Sequence, residues 1–293
     1  MPKVSIVMST FNNDIYLQAS IESMLFQTYR DFEFIIIDDG STDSTSIMLD
    51  MVKDPRVKIV RHESQLGLIA SLNHGLSIAK GEYVARMDAD DTSSLDRLML
   101  QVHFMEENPH IDLCGTGMIL SRQGNHKINP LTHEEIRTWL LFHTCISHPT
   151  IMLRRSTIER LHIRYSSDFP HAEDYELWNR IAPYVQMANL PQPLLYYRQH
   201  AGQVSQSFRD IQELSARRVR ERQFSHIGVY PTEEEYQTHM DFVHFNINAH
   251  DYESYSRAAR WAEKLLHHNT LHPYYNQDML NVALSRCISN LPY

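Results

Sequence analysis

The sequence reads FIIIDDGSTD from Phe34 to Asp43, an apolar run of strand length that ends in two adjacent carboxylates. The stretch YVARMDADD, from Tyr83 to Asp91, repeats this arrangement. Burying an unpaired charge costs several kcal/mol, so these carboxylates must meet water, a cation or a ligand. In an open α/β sheet, ligands bind in the crevice at the carboxyl ends of the strands. The two stretches therefore predict buried strands whose acidic ends face a binding crevice.

Short apolar segments alternate with helical patterns over the first 115 residues. Four segments have strand length and are rich in β-branched or aromatic residues: 4–8, 32–37, 57–60 and 83–87. Between them, Leu17, Ile21, Met24 and Leu25 fall on one face of a helix, and 68–79 is helical by the same test. This alternation predicts right-handed crossovers and a mainly parallel sheet.

The remainder of the chain divides into a mixed region and a helical region. In the mixed region, the pattern predicts four strands, over 111–120, 150–153, 185–187 and 194–197. It also predicts helices over 134–142 and 173–181 and a turn at 123–125. We interpret it as the same domain with antiparallel edges added. Four helical segments follow: 211–224, 232–245, 252–267 and 276–289. We expect one domain over 1–205 and a small helical subdomain over 206–293.

Composition excludes several classes of protein. Of 293 residues, 42% are hydrophobic and 22% charged, as in soluble globular proteins, and the formal net charge of −9 argues against nucleic-acid binding. The three cysteines, Cys114, Cys145 and Cys287, lack paired spacing, which predicts a reducing compartment. No run approaches the roughly 18 apolar residues of a membrane span. We expect a cytoplasmic protein, soluble or peripheral at the inner face of the membrane.

The chain lacks the glycine-rich loops that usually hold phosphates. Neither G-x-G-x-x-G nor G-x-x-x-x-G-K-[ST] occurs. A phosphorylated ligand would therefore be held by a metal and side chains. A nucleotidyltransferase would need a glycine-rich, basic loop after the first strand, and residues 9–14 contain neither glycine nor a basic residue.

A set of motifs keeps one order over roughly residues 3–205 and resembles the family 2 glycosyltransferases of GT-A fold. The matching pieces are VSIVMSTFN at 4–12, IDDGSTD at 37–43, GL at 67–68, SLNHG at 71–75, AKGEY at 79–83, RMDADD at 86–91, HPT at 148–150, EDYELW at 173–178 and YRQH at 197–200. The helical tail lies outside this resemblance.

The resemblance implies an α/β, Rossmann-like fold in which a mostly parallel sheet is flanked by helices. It implies a donor-binding half over about 1–115 and an acceptor-binding half over about 116–205. The implied reaction is inverting transfer of a sugar from a nucleotide-diphosphate donor, expected to be UDP-linked, to a hydroxyl of a saccharide or lipid-linked saccharide. A catalytically inactive sugar-nucleotide-binding or scaffolding protein of glycan assembly is the alternative.

The acidic motif at 88–91 is the expected metal site. By resemblance, Asp90 is the ligand of Mn²⁺ or Mg²⁺, hard cations that prefer oxygen donors and bridge the donor phosphates. Asp88 would contact the donor ribose or share the metal. The cluster could instead form a turn and an N-cap before a helix that starts near Leu95. We expect Asp91 to be a cap or a solvent-exposed residue.

The first two strand-to-helix loops are the expected donor site. Asp39 resembles the residue that binds the nucleobase, whereas Asp38 would orient the loop or cap the following helix. Thr10 and Asn12 lie where the family closes over the base, although ordinary turn chemistry would also explain them.

Glu173 and Asp174 open a predicted helix, and Asp174 resembles the family's general base. A carboxylate beside Tyr175 and Trp178 can gain basicity through desolvation. The alternative, which suits Glu173 equally well, is an acidic residue that complements the helix dipole.

Three further residues are weaker candidates. His200 resembles a late histidine that meets the metal or diphosphate, or is a solvated loop residue. His148 lies in a family-like position on the acceptor side. Trp178 is either a core residue or a platform for an acceptor sugar.

Four arginines share one predicted helix: Arg217, Arg218, Arg220 and Arg222. They form either a solvated face paired with Glu213 and Glu221 or a contact with an anionic lipid-linked acceptor or the membrane surface.

Overall fold

A computed structural model describes residues 1–121, 124–200, 208–248 and 250–291. Its first third alternates strands and helices as expected. The elements are β1 (Val4–Thr10), α1 (Leu17–Leu25), β2 (Phe32–Asp38), α2 (Thr45–Met51), β3 (Val57–Arg61), α3 (Leu68–Ile78) and β4 (Tyr83–Asp88). These four strands are parallel, in the order β3-β2-β1-β4.

The register of the parallel strands brings their polar ends to one edge. Thr10 at the end of β1 lies opposite Asp38 of β2, and Ser9 lies opposite Asp88 of β4. Neighbouring strands are about 4.8 Å apart, so Asp38 and Asp88 are separated by roughly 10 Å across β1. The prediction of acidic strand ends at a common edge is confirmed.

Five further strands extend the same sheet. They are β5 (Thr92–Ser93), β6 (Leu113–Leu120), β7 (His126–Lys127), β8 (Met152–Arg154) and β9 (Met187–Tyr197). The order is β3-β2-β1-β4-β8-β6-β9-β5, with β7 beside β6. The expectation of antiparallel strands at the edges is wrong for β8, which is antiparallel to both β4 and β6 and lies between them.

Strand β9 is continuous where the sequence suggested two short strands. It pairs in parallel with β6, and the register shifts around Thr116 to Met118. Pro191 and Pro193 lie inside it. Because prolines lack an N–H donor, they argue against a central strand when the sequence alone is considered. In the structure, the shifted register lets β9 pair with β6 on both sides of them.

The remaining helices cover the sheet and form the tail. They are α4 (Arg97–Glu107), α5 (His133–Trp139), α6 (Arg155–Arg160), α7 (Glu173–Ile181), α8 (Arg209–His226), α9 (Glu233–Val243), α10 (Tyr252–Leu271) and α11 (Gln277–Ile288). Helices α5 and α9 begin with full capping boxes at Thr132 and Thr232. Within the described residues, no helix is long and apolar enough to cross a membrane.

Hydrophobic cores lie on both faces of the sheet. Ile6 and Phe34 join one cluster, and Val7 joins the other because successive strand residues face opposite sides. The second cluster also contains Phe142 of the mixed region and Trp261 of the tail. The tail helices therefore share a core with the preceding domain, and a boundary near residue 205 stays a prediction.

Candidate active site

Three carboxylates meet at the turn after β4. Asp88, Asp90 and Asp91 each offer an oxygen within 4.8 Å of the others. Asp91 is only 1% exposed. Burial and the charges of Asp88 and Asp90 raise its pKa well above its usual range. The expectation that Asp91 is a cap or a solvent residue is wrong, because α4 begins only at Arg97.

This turn suits a divalent metal ion. The Asp91 carboxylate accepts one hydrogen bond, from the backbone N–H of Arg198 at 2.8 Å, and its buried Oδ2 has no partner among the residues that the structure describes. Three carboxylates in so small a space repel one another unless a proton or a cation intervenes. Hard cations take such oxygen ligands. The donor set therefore fits the predicted Mn²⁺ or Mg²⁺ site.

The end of β9 lies against the acidic turn. His200 Nε2 is 3.0 Å from Asp90 Oδ2, and Arg198 Nε donates to the Asp90 carbonyl oxygen at 2.7 Å. The ring of Tyr16 lies 4.8 Å from the His200 ring and 4.7 Å from the Arg198 guanidinium. The structure thus brings His200 to Asp90, and contact of His200 with a metal or diphosphate stays a prediction.

Arg86 is a buried cation beside these carboxylates. It is 6% exposed, and its Nη2 lies 2.5 Å from Asp88 Oδ1. Its Nε and Nη1 are buried without a partner in the structure. Burial, the dominant effect, raises the pKa of Asp88 even though Arg86 opposes the rise. Burial disfavours the charged form of Asp88, and Arg86 stabilises that form.

Asp39 anchors the loop that precedes α3. Its carboxylate accepts hydrogen bonds from the backbone N–H groups of Leu66 (3.0 Å) and Gly67 (2.8 Å), and lies 2.7 Å from His62 Nδ1. Burial would raise the pKa of Asp39, but the bonds from His62, Leu66 and Gly67 outweigh it and hold that pKa low. Contact with a nucleobase stays a prediction, since most of this carboxylate is already engaged and the residue is 2% exposed.

The neighbouring loop residues are bonded to one another. Asp38 accepts from the Ser41 N–H (3.0 Å) and the Ser46 hydroxyl (2.5 Å), so it orients the loop. Gly40 has φ +75°, and a Cβ there would lie 2.8 Å from the Ser64 carbonyl carbon, which explains the glycine.

Thr10 and Asn12 occupy different environments in the predicted donor site. Thr10 is 3% exposed, and none of the described residues forms a hydrogen bond with its hydroxyl. Asn12 has φ +46°, and its Oδ1 accepts from the Thr42 N–H at 2.8 Å. Asn12 therefore joins the loops after β1 and β2, and donor contact by either residue stays a prediction.

Glu173 and Asp174 lie in the first turn of α7, whose N-cap residue contributes no side-chain hydrogen bond. Burial, followed by the charge of Asp174, raises the pKa of Glu173 to about 7. Burial also raises the pKa of Asp174. Opposing contributions, which lower this pKa, come from the Tyr175 N–H and from the charges of Arg86 and Lys127. The more exposed of the two is Asp174. The pKa values of both carboxyls are thus raised, whereas the sequence predicted this for Asp174 alone.

His148 and Trp178 support this region from within the core. His148 is 8% exposed, and burial holds its pKa well below its usual range. Its Nε2 lies 2.8 Å from the hydroxyl of Tyr165, and its ring meets Trp178 edge-on at 5.9 Å. Trp178 is 0% exposed. A fully buried ring cannot serve as an acceptor platform, so that alternative is wrong and Trp178 is a core residue.

Sequence reasoning missed several residues near the carboxylates. Arg86 could have been found, since it lies two residues before Asp88 and side chains at i and i+2 share one face of a strand. Lys127 and Tyr165 carry no local signal. Each comes from a distant segment, and only the fold brings Lys127 close to Asp174 and Tyr165 close to Arg86.

The four arginines of α8 do not form one surface. Arg220 is 4% exposed and donates to the Phe142 carbonyl oxygen (3.0 Å) and to Glu213 (2.8 Å), so its expected surface contact is wrong. Arg217 pairs with Glu221 and Glu233. The guanidiniums of Arg218 and Arg222 each lie 4.5 Å from the ring centroid of Phe169, in the loop before α7.

Comparison with solved structures identifies the fold. TarS of S. aureus in complex with UDP-GlcNAc superposes with a TM-score of 0.64 at 18% identity, over 98% of this chain and 89% of TarS. The mannosyltransferase PcManGT of Pyrobaculum calidifontis, in complex with GDP-Man and Mn²⁺, gives 0.60 at 15% identity, over 99% and 86%. The mixed α/β architecture is therefore the GT-A fold.

Sequence comparison identifies the family. The UDP-Glc:alpha-D-GlcNAc-diphosphoundecaprenol beta-1,3-glucosyltransferase WfaP of Escherichia coli is 32% identical over 217 residues, which cover 70% of this chain and 80% of WfaP. The family model described as Glycosyl transferase family 2 matches residues 5–161, more than half of the chain. This chain belongs to glycosyl transferase family 2.

Proposed function

We propose that this glycosyltransferase is metal-dependent and inverting, and that it transfers a sugar from a UDP-linked donor to a hydroxyl of a saccharide or lipid-linked saccharide. The observation that carries the proposal is the meeting of Asp88, Asp90 and Asp91 within 4.8 Å. The charge of Asp88 reaches Glu173, whose pKa it helps to raise, which supports a common site for the acidic turn and α7.

Asp88, Asp90 and Asp91 would hold the cation, with His200 beside Asp90. When bound, Mn²⁺ or Mg²⁺ would neutralise charge on the donor diphosphate. Arg198 fixes the turn through Asp90 and Asp91, which keeps the oxygens in place. Asp39 would lie on the nucleoside side, across β1 from this cluster, with Thr10 at the end of β1 between them.

Asp174 would act as the general base. It would take the proton from the acceptor hydroxyl as that oxygen bonds to the anomeric carbon, while the bond from that carbon to the diphosphate breaks and UDP leaves. Attack from the face opposite the leaving group inverts the configuration. Burial raises the pKa of Asp174, which favours proton uptake. Its greater exposure than Glu173 makes it the more accessible of the pair.

The proposed classes of donor and acceptor are based on the ligands and substrates that the names of similar proteins state. UDP-GlcNAc is bound in TarS and a UDP-Glc donor appears in the name of WfaP, whereas PcManGT binds GDP-Man. The name of WfaP also gives a lipid-linked saccharide as acceptor. For this chain, membrane contact would rest on Arg218 and Arg222, since Arg220 is buried. A cytoplasmic location stays a prediction.

The competing function is sugar-nucleotide binding without catalysis. Retention of the aspartate cluster and of both carboxyls of α7 argues against it. Hydrolysis of UDP- and GDP-sugars with and without Mn²⁺ separates the two functions. Metal-dependent release of UDP from one donor supports an enzyme, and donor binding with no release of nucleotide from any of them supports the alternative.

Calorimetric titration with UDP and Mn²⁺ tests the metal assignment. We expect Asp90→Ala to weaken binding at least about tenfold, because a charged ligand is removed. Asp96→Ala is the matched control, since Asp96 lies at the N-cap of α4 outside the cluster. Equal affinity in Asp90→Ala and the control would refute the assignment.

A further inference from the structure

Lys127 is a partly buried cation on β7, where it lies opposite Met118 of β6. Among the residues that the structure describes, none forms an ion pair or a hydrogen bond with its ammonium group. Arg86, the buried cation of the neighbouring strand β4, is by contrast held by Asp88. Lys127 therefore keeps its hydrogen-bond donors available to a ligand.

This ammonium group lies close to the carboxyls of α7. Burial lowers the pKa of Lys127, and the charges of Cys145 and Asp174 oppose that shift. In turn, the charge of Lys127 lowers the pKa of Asp174, although no ion pair joins these two described residues. A partly buried cation costs free energy unless an anion meets it. The position of Lys127 therefore indicates an anionic group next to the hydroxyl that Asp174 would deprotonate.

A groove of about 280 Å³ begins at the residue after Lys127. Its walls are the segment 128–131, helix α5 and helix α11 of the tail. Ile128, Leu131 and Val282, which line the groove, are 38%, 39% and 47% exposed. Apolar side chains that two separate segments expose around one groove are typical of a binding surface, whereas apolar residues scattered singly are not.

The polar side chains of the groove are engaged within the protein. Glu135 closes the capping box of α5, where its carboxylate accepts from the Thr132 N–H at 3.0 Å. Asn129 Nδ2 donates to Ser147 Oγ at 3.0 Å. Arg286, the other charged residue of the lining, is engaged as well. The groove therefore offers chiefly apolar surface to a ligand.

The cation and the adjoining groove together favour an amphiphilic anion. A free sugar finds few partners for its hydroxyls in the groove, and inorganic phosphate leaves the groove empty. A second copy of this chain has the same net charge of −9, so it would cover the groove against charge repulsion. A hydrocarbon chain joined to a phosphate suits both parts, because apolar burial favours the chain in the groove and Lys127 binds the anion.

We propose that Lys127 and this groove bind the phosphate and the first part of the hydrocarbon chain of a lipid-linked saccharide acceptor. Asp174, Lys127 and Ile128 then meet the sugar hydroxyl, the phosphate and the chain in the order in which such an acceptor carries them. The volume lies near the roughly 300 Å³ at which small-molecule sites begin, so the groove holds only the start of a long chain. The assignment to the acceptor rests on the proposed function, whereas binding of a lipid phosphate does not.

Calorimetric titration of the full chain with geranyl diphosphate tests the proposal, with pyrophosphate and geraniol as partial probes. The titrations contain EDTA, which keeps a diphosphate from binding to the acidic turn through a metal. We expect geranyl diphosphate to bind at least about tenfold more tightly than either partial probe, because only this compound meets both the cation and the groove.

Variants separate the two parts of the site. Lys127→Met should weaken binding of geranyl diphosphate at least about fivefold and leave binding of geraniol unchanged. The double variant Ile128→Ser, Val282→Ser should weaken geranyl diphosphate by a similar factor and leave pyrophosphate unchanged. The matched controls are Lys58→Met on β3 and Ile47→Ser on α2, both exposed and outside the groove.

The outcomes separate this inference from the proposed function. The inference is overturned if geranyl diphosphate does not bind, if it binds no more tightly than pyrophosphate, or if Lys127→Met and the double variant bind it as the controls do. Self-association of the native chain that the double variant loses, without binding of any probe, would assign the groove to a second copy instead. Titration with UDP and Mn²⁺ reports the donor site separately, so a lipid-phosphate site stands even if the chain proves to bind no donor.

Discussion

Arg86 and Asp88, two residues apart on β4, form an ion pair with 2.5 Å between Nη2 and Oδ1. Both side chains lie on the same face of the strand, and Arg86 lowers the pKa values of Glu173 and Asp174 as well as that of Asp88. Arg86 is thus a fixed cation shared by the acidic turn and by the carboxyls of α7. Much of the behaviour expected of this site follows from its charge.

Replacing Arg86 should change the pH dependence of turnover. In Arg86→Met, the pKa of Asp174 rises because a nearby cation is lost, so the acid limb of the kcat profile should move to higher pH. Arg86→Lys keeps the charge and should restore the native position of that limb. The measurement is kcat against pH for metal-dependent donor hydrolysis. Identical acid limbs in Arg86→Met and the native chain would show that the guanidinium does not act on the base.

Glu173 should make stability fall as pH rises. Its pKa is raised from 4.5 to about 7 in the folded chain, so its contribution is complete below pH 4.5 and is lost as pH rises through 7. At about 1.4 kcal/mol per pH unit, the full effect on the free energy of unfolding is at most about 3.5 kcal/mol.

Urea unfolding at several pH values without metal checks this effect. Glu173→Gln should flatten the decline between pH 4.5 and 7, while Glu176→Gln on the same helix should leave it in place. A native chain whose stability rises steadily over that interval would contradict the assignment.

Asp39 should contribute to stability as well as to the donor site. Asp39→Asn removes a charge that accepts from two backbone N–H groups, which should cost about 1–3 kcal/mol. Because the pKa of Asp39 is lowered on folding, this contribution is present above the unfolded pKa and is lost as pH falls through the folded value. Thermal unfolding near neutral pH gives the comparison. A midpoint unchanged from the native chain would mean that the loop before α3 holds without this carboxylate.

Two arginines of α8 should differ sharply in their effect on stability. Arg220→Met leaves the buried Phe142 carbonyl oxygen without its donor and removes the pair with Glu213, whose side chain is 48% exposed, so we expect a loss of about 1–3 kcal/mol. Arg217→Met removes solvent-exposed pairs with Glu221 and Glu233, which water and salt screen, and should therefore cost clearly less stability than Arg220→Met. Equal midpoints in urea for the two variants would refute this distinction.

The sequence predicts the parallel half of the fold well because its signals are local. The runs that end at Asp38 and Asp88 alternate with helical faces, and this alternation predicts a mainly parallel sheet with right-handed crossovers. The place of β8 between β4 and β6 is different, since it depends on contacts between segments about 70 residues apart. The predicted turn at 123–125 lies partly outside the described residues, because residue 123 is not described. Residues 201–207, which follow His200, also lie outside the described residues.

In the candidate site, too, some residues could be predicted from local sequence signals and others could not. Asp88, Asp90 and Asp174 could be chosen because their motifs are short and ordered. The burial of Asp91 could not be predicted, since it depends on how the end of β9 packs against the turn, whereas a core position was one of the two alternatives that the sequence offered for Trp178. Arg220 looked like its neighbours on α8, yet it faces Phe142 from a distant segment.

The most direct test of the account is turnover in Asp174→Asn beside binding of UDP with Mn²⁺. Asparagine keeps the size and polarity of the side chain but cannot take up the proton. We expect donor binding within about twofold of the native chain and a loss of turnover of about two to four orders of magnitude. Native-like turnover in Asp174→Asn, with UDP and Mn²⁺ still bound, would contradict the assignment of Asp174 as the base.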